Sequence, residues 1–309
     1  MKNNEHNDPK PFLKWAGGKT QLLDVIDNHL PDEIKDSGVI EKYFEPFVGG
    51  GAVFFNLISH YEIDYVYLGD INKDLILTYN MIKRKPFELI DILKELKKSY
   101  ISKKESERKE FYYNIRMDFN EKSNIVVNSK SSHEKQLIRA AQLIFLNKTC
   151  FNGLYRVNLK GEFNVPFAKP KNPLICDEEN ILNVSNVLQD VKIYQRDYRR
   201  SKSLIDNNSL VYLDPPYKPL NGKKSFEGYS KFDFNDKDQI NLANFYRELD
   251  KKGASVILNN SDLKNVDESN DFFDKLYGGF NIERVYAKRS INSNANKRGK
   301  IKEILVSNF

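Results

Sequence analysis

Features that mark metal, redox or membrane chemistry are scarce in this sequence. Its two cysteines, Cys150 and Cys176, lie far apart and form no C-x-x-C pair, so they read as ordinary reduced thiols. The four histidines, His6, His29, His60 and His133, are scattered without ligand spacing, and no metal is expected. No apolar run approaches the roughly eighteen residues of a membrane span, and the N-terminal region has no apolar core of a signal peptide. A cytoplasmic protein that does not engage membranes is the expectation. A complete phosphate-binding loop is missing too. The stretch WAGGKT (15–20) ends in Gly18-Lys19-Thr20, but Leu13 stands where the first glycine of a P-loop belongs, and MKNNEHNDPK upstream is too polar for a core strand. That weakens a nucleotidase reading and leaves WAGGKT in need of another explanation.

The chain has 309 residues, 40% hydrophobic and 30% charged, enough for a full core in one large domain or two modest ones. Lys plus Arg is 49 against 43 Asp plus Glu, a formal charge of +6, which favours a polyanionic partner without requiring one.

Residues 43–58, YFEPFVGGGAVFFNLI, read as an apolar strand, a glycine turn and a helix. DYVYLGD (64–70) is a second strand ending in an acid. From about Lys83 to Lys171 the chain turns strongly charged and helical, with EKQLIRAAQLIFLN the better amphipathic stretch. Strands resume at 191–196, 210–214 and 254–258, and the C-terminal segments FNIERVYAKR and IKEILVSNF read as an antiparallel pair. Strands separated by helices predict a doubly wound α/β sheet, and the helical block predicts an inserted domain. The expected division is 1–82 with 172–309 for the sheet domain and 83–171 for the insertion. SNIVVNSKSSHEK (123–135) reads as a polar loop.

Four places point at one ligand. Gly49-Gly50-Gly51 follows the first strand, where glycines allow close backbone approach and a helix N-terminus offers free N–H groups. The dinucleotide fingerprint is incomplete, because Phe54 holds its third glycine position, which leaves a nucleoside-like ligand open. Taken alone, a triple glycine is more often a tight turn. Asp70 closes the second strand about twenty residues further on, the place of an acid that accepts from ribose hydroxyls. Asp197 follows VKIYQR at the same edge, where capping a turn is an equal alternative. Most specific is Asp214-Pro215-Pro216-Tyr217. Two prolines remove two N–H donors and hold the Pro215 carbonyl as a rigid acceptor beside the Asp214 carboxylate, which suits an amino group with two hydrogens. Tyr217 adds a flat face for a planar base.

DPPY, with FEPFVGGGAVFF and PFLKWAGGK upstream, closely resembles the amino-group DNA methyltransferases of the DNA adenine methylase type, with the glycine motif first and DPPY last. The resemblance extends through CFNGLYRVNLKGEFNVPF to RGKIKEILV. It implies a Rossmann-like methyltransferase sheet with a C-terminal antiparallel strand pair and an inserted, mainly helical DNA-recognition domain. It also implies S-adenosyl-L-methionine as cofactor and double-stranded DNA as partner. Trp15 and Lys19 would close the cofactor pocket, Glu45, Pro46, Phe47, Gly49 and Gly51 would line it, Asp70 would hold the ribose and Asp197 the adenine amino group. Asp214, Pro215, Pro216 and Tyr217 would be the catalytic set. For DNA the resemblance implies Lys14 reaching a base, Phe151 and Asn152 entering the duplex, Leu154 on a thymine methyl, Arg156 on guanine and Pro166 alongside.

The reaction so implied is direct displacement on an adenine extruded from the duplex, with GATC as the expected target. Ala168 departs from the family, which usually has glycine after F-N-V-P-x. Phe151 and Leu154 read equally as core residues of a helical hairpin on their own evidence. Residues 218–231 would suit a lid, or a plain surface loop. A cognate restriction endonuclease is the functional partner if the enzyme guards its host, and a solitary role is the alternative; in either case DNA would associate the cytoplasmic protein with the nucleoid. Competing readings are the same chemistry on another DNA sequence or on RNA, and a non-catalytic DNA-binding regulator.

Overall fold

The computed structural model describes residues 8–121, 133–218, 234–288 and 300–309. In chain order its elements are α1 (Leu23–Asn28), α2 (Asp32–Ser37), β1 (Val39–Glu45), α3 (Ala52–His60), β2 (Glu62–Asp70), α4 (Lys73–Arg84), α5 (Pro86–Ile101), α6 (Glu105–Glu121) and α7 (His133–Thr149). These are followed by α8 (Glu178–Val187), β3 (Lys192–Gln195), β4 (Ser209–Leu213), α9 (Asp236–Asp250), β5 (Ser255–Ser261), α10 (Phe272–Leu276), β6 (Asn281–Lys288) and β7 (Lys300–Ser307). No helix among the described residues is long and apolar enough to cross a membrane.

The strands form a mixed sheet in the order β3-β2-β1-β4-β5-β7-β6. β1 pairs in parallel with β2 and β4, and β4 with β5. β7 runs antiparallel to both β5 and β6. The parallel strands are apolar because both faces are covered: every residue of SLVYL in β4 is buried. The expected sheet, with its C-terminal antiparallel pair, is what the chain forms. β1 begins at Val39, earlier than the apolar pattern suggested, because Glu41 is exposed while Ile40 is buried. Order reverses between β1 and β4, so the edge at their carboxyl ends is the place where open α/β sheets bind ligands. Glu45 ends β1 and Asp214 follows β4.

The described chain divides into two compact units. One comprises 19–48, 60–71 and 196–309, and the other 1–18, 49–59 and 72–195. The second unit is mainly helical. Asn72 caps α4 by accepting from the Asp74 and Leu75 N–H groups, and Pro86 opens α5 at a position where no N–H is needed. α7 is buried almost all round, including Arg139, Gln142 and Asn147.

The helical expectation fails after Thr149. Residues 150–171 form a single 3₁₀ turn at Phe151–Gly153 and two antiparallel bridges, Cys150 with Phe167 and Val157 with Phe163. Asn152, Gly153, Gly161 and Lys169 take left-handed backbone angles, and Pro166 and Pro170 add no donors, so a helix cannot continue. Of the expected polar loop, residues 123–132 lie outside the described part, while His133 to Lys135 open α7. Of the expected lid, 218–231, all but Lys218 lie outside the described part as well.

Candidate active site and recognition segment

In the sheet unit, the DPPY segment leaves the end of β4 and is tied down by its neighbours. Gln239 donates to the Pro216 carbonyl at 3.3 Å, and Asn260 donates to Gln239 at 3.1 Å. The Ser261 hydroxyl donates to the Lys218 carbonyl at 2.9 Å. Pro215 is buried and Pro216 exposed. Lys19 explains the rest of WAGGKT: its ammonium lies 2.7 Å from Asp214 Oδ2 and 4.6 Å from the centre of the Tyr217 ring, with only 4% of its side chain accessible. Upstream, Gly18 N–H bonds back to the Trp15 carbonyl at 3.1 Å. The segment is a tight turn that delivers a lysine to DPPY, and Gly18-Lys19-Thr20 is no phosphate loop.

Asp214 is held in tension. Its Oδ1 atom is buried and has no hydrogen-bond partner among the described residues. Burial pushes the carboxyl up to about 6, opposed by Lys19 and reinforced by the negative charge of Glu303. A second layer lies beneath. Tyr217 donates to Glu303 Oε2 at 2.6 Å, Asn259 donates to the same oxygen at 3.2 Å, and Tyr212 donates to Asn259 Oδ1 at 3.2 Å. At the end of β1, Tyr43 donates to the buried Glu45 at 2.8 Å. Burial, before any neighbouring charge, raises the hydroxyls of Tyr43, Tyr212 and Tyr217 well above the ordinary tyrosine range.

The expected nucleoside residues of this unit also gather. Arg196 N–H bonds the Asp70 carbonyl at 3.0 Å, which brings the end of β2 to the segment bearing Asp197. Phe47 stacks on Tyr198 at 5.1 Å and meets Phe234 edge-on at 6.2 Å, beside the buried Pro46. The Asp197 carboxylate caps the 3₁₀ turn Tyr198–Ser201 and is gripped by Arg199 through Nε at 2.7 Å and Nη2 at 2.8 Å. The Arg199 hydrogen bonds outweigh burial and hold its carboxyl below the usual range. The turn-capping alternative for Asp197 is therefore realised, and any ligand would share this carboxylate with Arg199. Four carboxylates and an aromatic pair along one sheet edge suit a nucleoside joined to a cationic group.

In the helical unit, the glycine turn is shaped by aromatic side chains. A Cβ on Gly49 would fall 2.8 Å from the Trp15 indole, and one on Gly51 2.5 Å from the Tyr79 hydroxyl, with φ positive at both. Tyr79 donates to the Gly49 carbonyl at 3.2 Å. Trp15 also stacks on Tyr155, 5.6 Å away at 21°. Tyr155 donates to Asp74 at 3.1 Å, and Asp74 forms a buried bidentate pair with Arg139 at 2.7 and 3.0 Å.

The expected DNA residues share this unit. Asn147 accepts from Lys14 N–H at 2.9 Å and donates to the carbonyls of Lys14 and Gly153 at 2.8 Å each. Gly153 has room for no side chain there, because a Cβ would meet Lys14 at 2.4 Å. Phe151 N–H bonds the Pro166 carbonyl at 2.9 Å. Lys14, Phe151, Asn152 and Pro166 are exposed and Leu154 half-buried, so Phe151 is not the core residue of a helical hairpin. Arg156 is half-buried and held by Asn164 through Nε at 2.7 Å. Ala168 needs no glycine angle, since the left-handed residue of that turn is Lys169. Tyr155, Asn147 and Glu303 escaped the sequence reading; a lone acid inside the apolar strand IKEILV was the available signal for Glu303.

A family model described as D12 class N6 adenine-specific DNA methyltransferase matches residues 15–291. The chain is 54% identical over 301 residues to "Type II methyltransferase M.MjaIII" of Methanocaldococcus jannaschii, covering 97% of this chain and 99% of that one. It is 34% identical over 302 residues to "Type II methyltransferase M1.LlaDCHI" of Lactococcus lactis subsp. cremoris, with 97% and 95% covered. It is also 34% identical over 297 residues to "DNA adenine methylase" of Escherichia coli (strain K12), with 96% and 94% covered.

Proposed function

Since the chain belongs to the D12 class N6 adenine-specific DNA methyltransferase family, we propose that it methylates N6 of adenine in duplex DNA, in the sequence GATC, using S-adenosylmethionine. The observation that carries this reading is Asp214: a half-buried carboxylate whose buried Oδ1 has no hydrogen-bond partner among the described residues, at the carboxyl end of β4 and followed by two prolines. Bound there, the cofactor supplies an electrophilic methyl group on sulfur. The described residues of the sheet unit fit it, with Glu45 and Asp70 at strand ends and the Phe47 and Tyr198 rings for an adenine.

The target adenine, turned out of the duplex at an unstacking cost of a few kcal/mol, would stack on Tyr217. Its exocyclic nitrogen is a weak nucleophile because its lone pair is delocalised into the ring. Hydrogen bonds to Asp214 and to the Pro215 carbonyl draw that nitrogen toward tetrahedral geometry and free the lone pair. Positioning and local charge then carry the rate. Asp214 accepts the proton only as it becomes acidic, when the new carbon–nitrogen bond forms.

For recognition, the exposed Phe151 and Asn152 support entry into the duplex, and Arg156 supports guanine reading. The block FNGLYRVN, which resembles the family's recognition segment, supports GATC and the assignment of 83–171 as the recognition region. The test is transfer of labelled methyl to two duplexes that differ only in an intact or scrambled GATC. Methylation confined to the intact site is expected, together with its loss in Asp214→Ala. Equal methylation of both duplexes overturns GATC, and transfer to RNA alone overturns the DNA substrate.

A further inference from the structure

Glu303 has no part in the reaction as described so far, yet it accepts the hydrogen bond of the Tyr217 hydroxyl. It lies on β7, opposite Ser261 of β5, and only 9% of it is accessible. A buried carboxylate needs strong partners to stay in place. Here they are the Tyr217 hydroxyl at 2.6 Å and the Asn259 amide at 3.2 Å, both on Oε2. Asn259 is itself held by Tyr212 from the central strand β4. The chain Tyr212, Asn259, Glu303, Tyr217 thus runs from the rigid middle of the sheet to the last residue of DPPY.

Without that anchor the Tyr217 ring would keep its backbone position but gain freedom about its side-chain torsions. The Lys19 ammonium over one face is a weak restraint by comparison, because cation–π attraction is less directional than a charge-assisted hydrogen bond. A planar base stacks productively on only one ring orientation, and small misplacements of a reacting nitrogen are expensive in rate.

We propose that Glu303 is a positioning residue for methyl transfer: from β7 it holds the Tyr217 hydroxyl and so sets the plane on which the target base stacks. This rests on the function proposed above. It also gives the antiparallel β5-β7 pairing a role in the reaction, since a slip of β7 by one residue would turn Glu303 to the opposite face of the sheet.

The experiment is a double-mutant cycle in the full chain, with Glu303→Ala, Tyr217→Phe and the pair, read as single-turnover methyl transfer at saturating cofactor and duplex. Glu303→Ala should slow transfer roughly tenfold to a hundredfold, the range for losing a hydrogen bond to a charged group, while duplex and cofactor affinities stay within about twofold of wild type. In the Tyr217→Phe background the same substitution should change the rate by less than about twofold, because no hydroxyl remains to be held. Glu303→Gln, whose amide oxygen still accepts, should recover most of the rate.

If alanine at this position prevents folding, Glu303→Asp runs the same cycle, keeping the charge and shortening the reach. An equal loss in both tyrosine backgrounds, or a Glu303→Gln variant as slow as the alanine variant, overturns the proposal. A wild-type enzyme that transfers methyl to no duplex overturns the proposed function itself, which separates the two failures.

Discussion

At neutral pH the Asp214 carboxylate is charged against its own burial, and the conflict is measurable. Its folded carboxyl titrates at about 6 against an ordinary 3.8, so the folded state prefers the protonated form. That contribution to stability is complete below the ordinary value and is lost as pH rises through about 6. Asp214→Asn, a neutral mimic of the same shape, should therefore stabilise the protein at pH 7 to 8 by about 1–3 kcal/mol, the size of such a shift after screening, while abolishing methylation. Thermal unfolding of both proteins at pH 5 and pH 8 checks it, with the gap widening at the higher pH. Activity carries the opposite sign, because the reaction needs the carboxylate. The single-turnover rate should therefore fall as pH drops below about 6. DPPY was legible in the sequence because two prolines after an acid leave few structural alternatives. The partner of Asp214 was not. Lys19 stands far from DPPY along the chain, and only the fold brings its ammonium to 2.7 Å.

Among the elements, α7 shows how polar residues can mislead. EKQLIRAAQLIFLN reads as an amphipathic helix, a pattern that turns polar residues outward, yet Arg139 and Gln142 are buried. Their partners are on other segments: Asp74 at the start of α4 for Arg139, and Asp118 on α6 for Gln142 at 2.6 Å. Periodicity registers polarity, not whether a polar group will find a partner inside. Arg139→Met should remove about 3–5 kcal/mol of stability, since it leaves Asp74 buried and unpaired. Replacing Asp74 as well with a residue of similar apolar shape should recover most of the loss. Denaturant midpoints of the two single variants and the double variant decide this, and additive losses would contradict the pairing. The helical reading of 150–171 misses a different signal, present in its composition: Gly153, Gly161, Pro166 and Pro170 all oppose a helix, and Asn152, Gly153 and Lys169 take left-handed angles.

For the whole molecule, the strands could be found along the chain, while their lateral order could not be deduced from it. β4 comes fourth in sequence but lies beside β1, because the right-handed crossover rule limits topologies without choosing one. That reversal sets Glu45 and Asp214 at the ends of neighbouring strands. The net charge of +6 acts at this scale too, through sequence-independent attraction to phosphate. If binding neutralises about four phosphates, raising salt from about 50 to 200 mM should weaken duplex affinity on the order of a hundredfold. The loss should be the same for intact and scrambled GATC duplexes, because base-edge contacts release no counterions. Anisotropy titrations of both duplexes at the two salt concentrations measure this. A constant ratio places discrimination in side chains such as Arg156, whose alanine variant should then collapse the ratio while leaving the salt slope within about one unit. A ratio that shrinks with salt would instead assign discrimination to the charge of the protein as a whole, and the role proposed for Arg156 would fall.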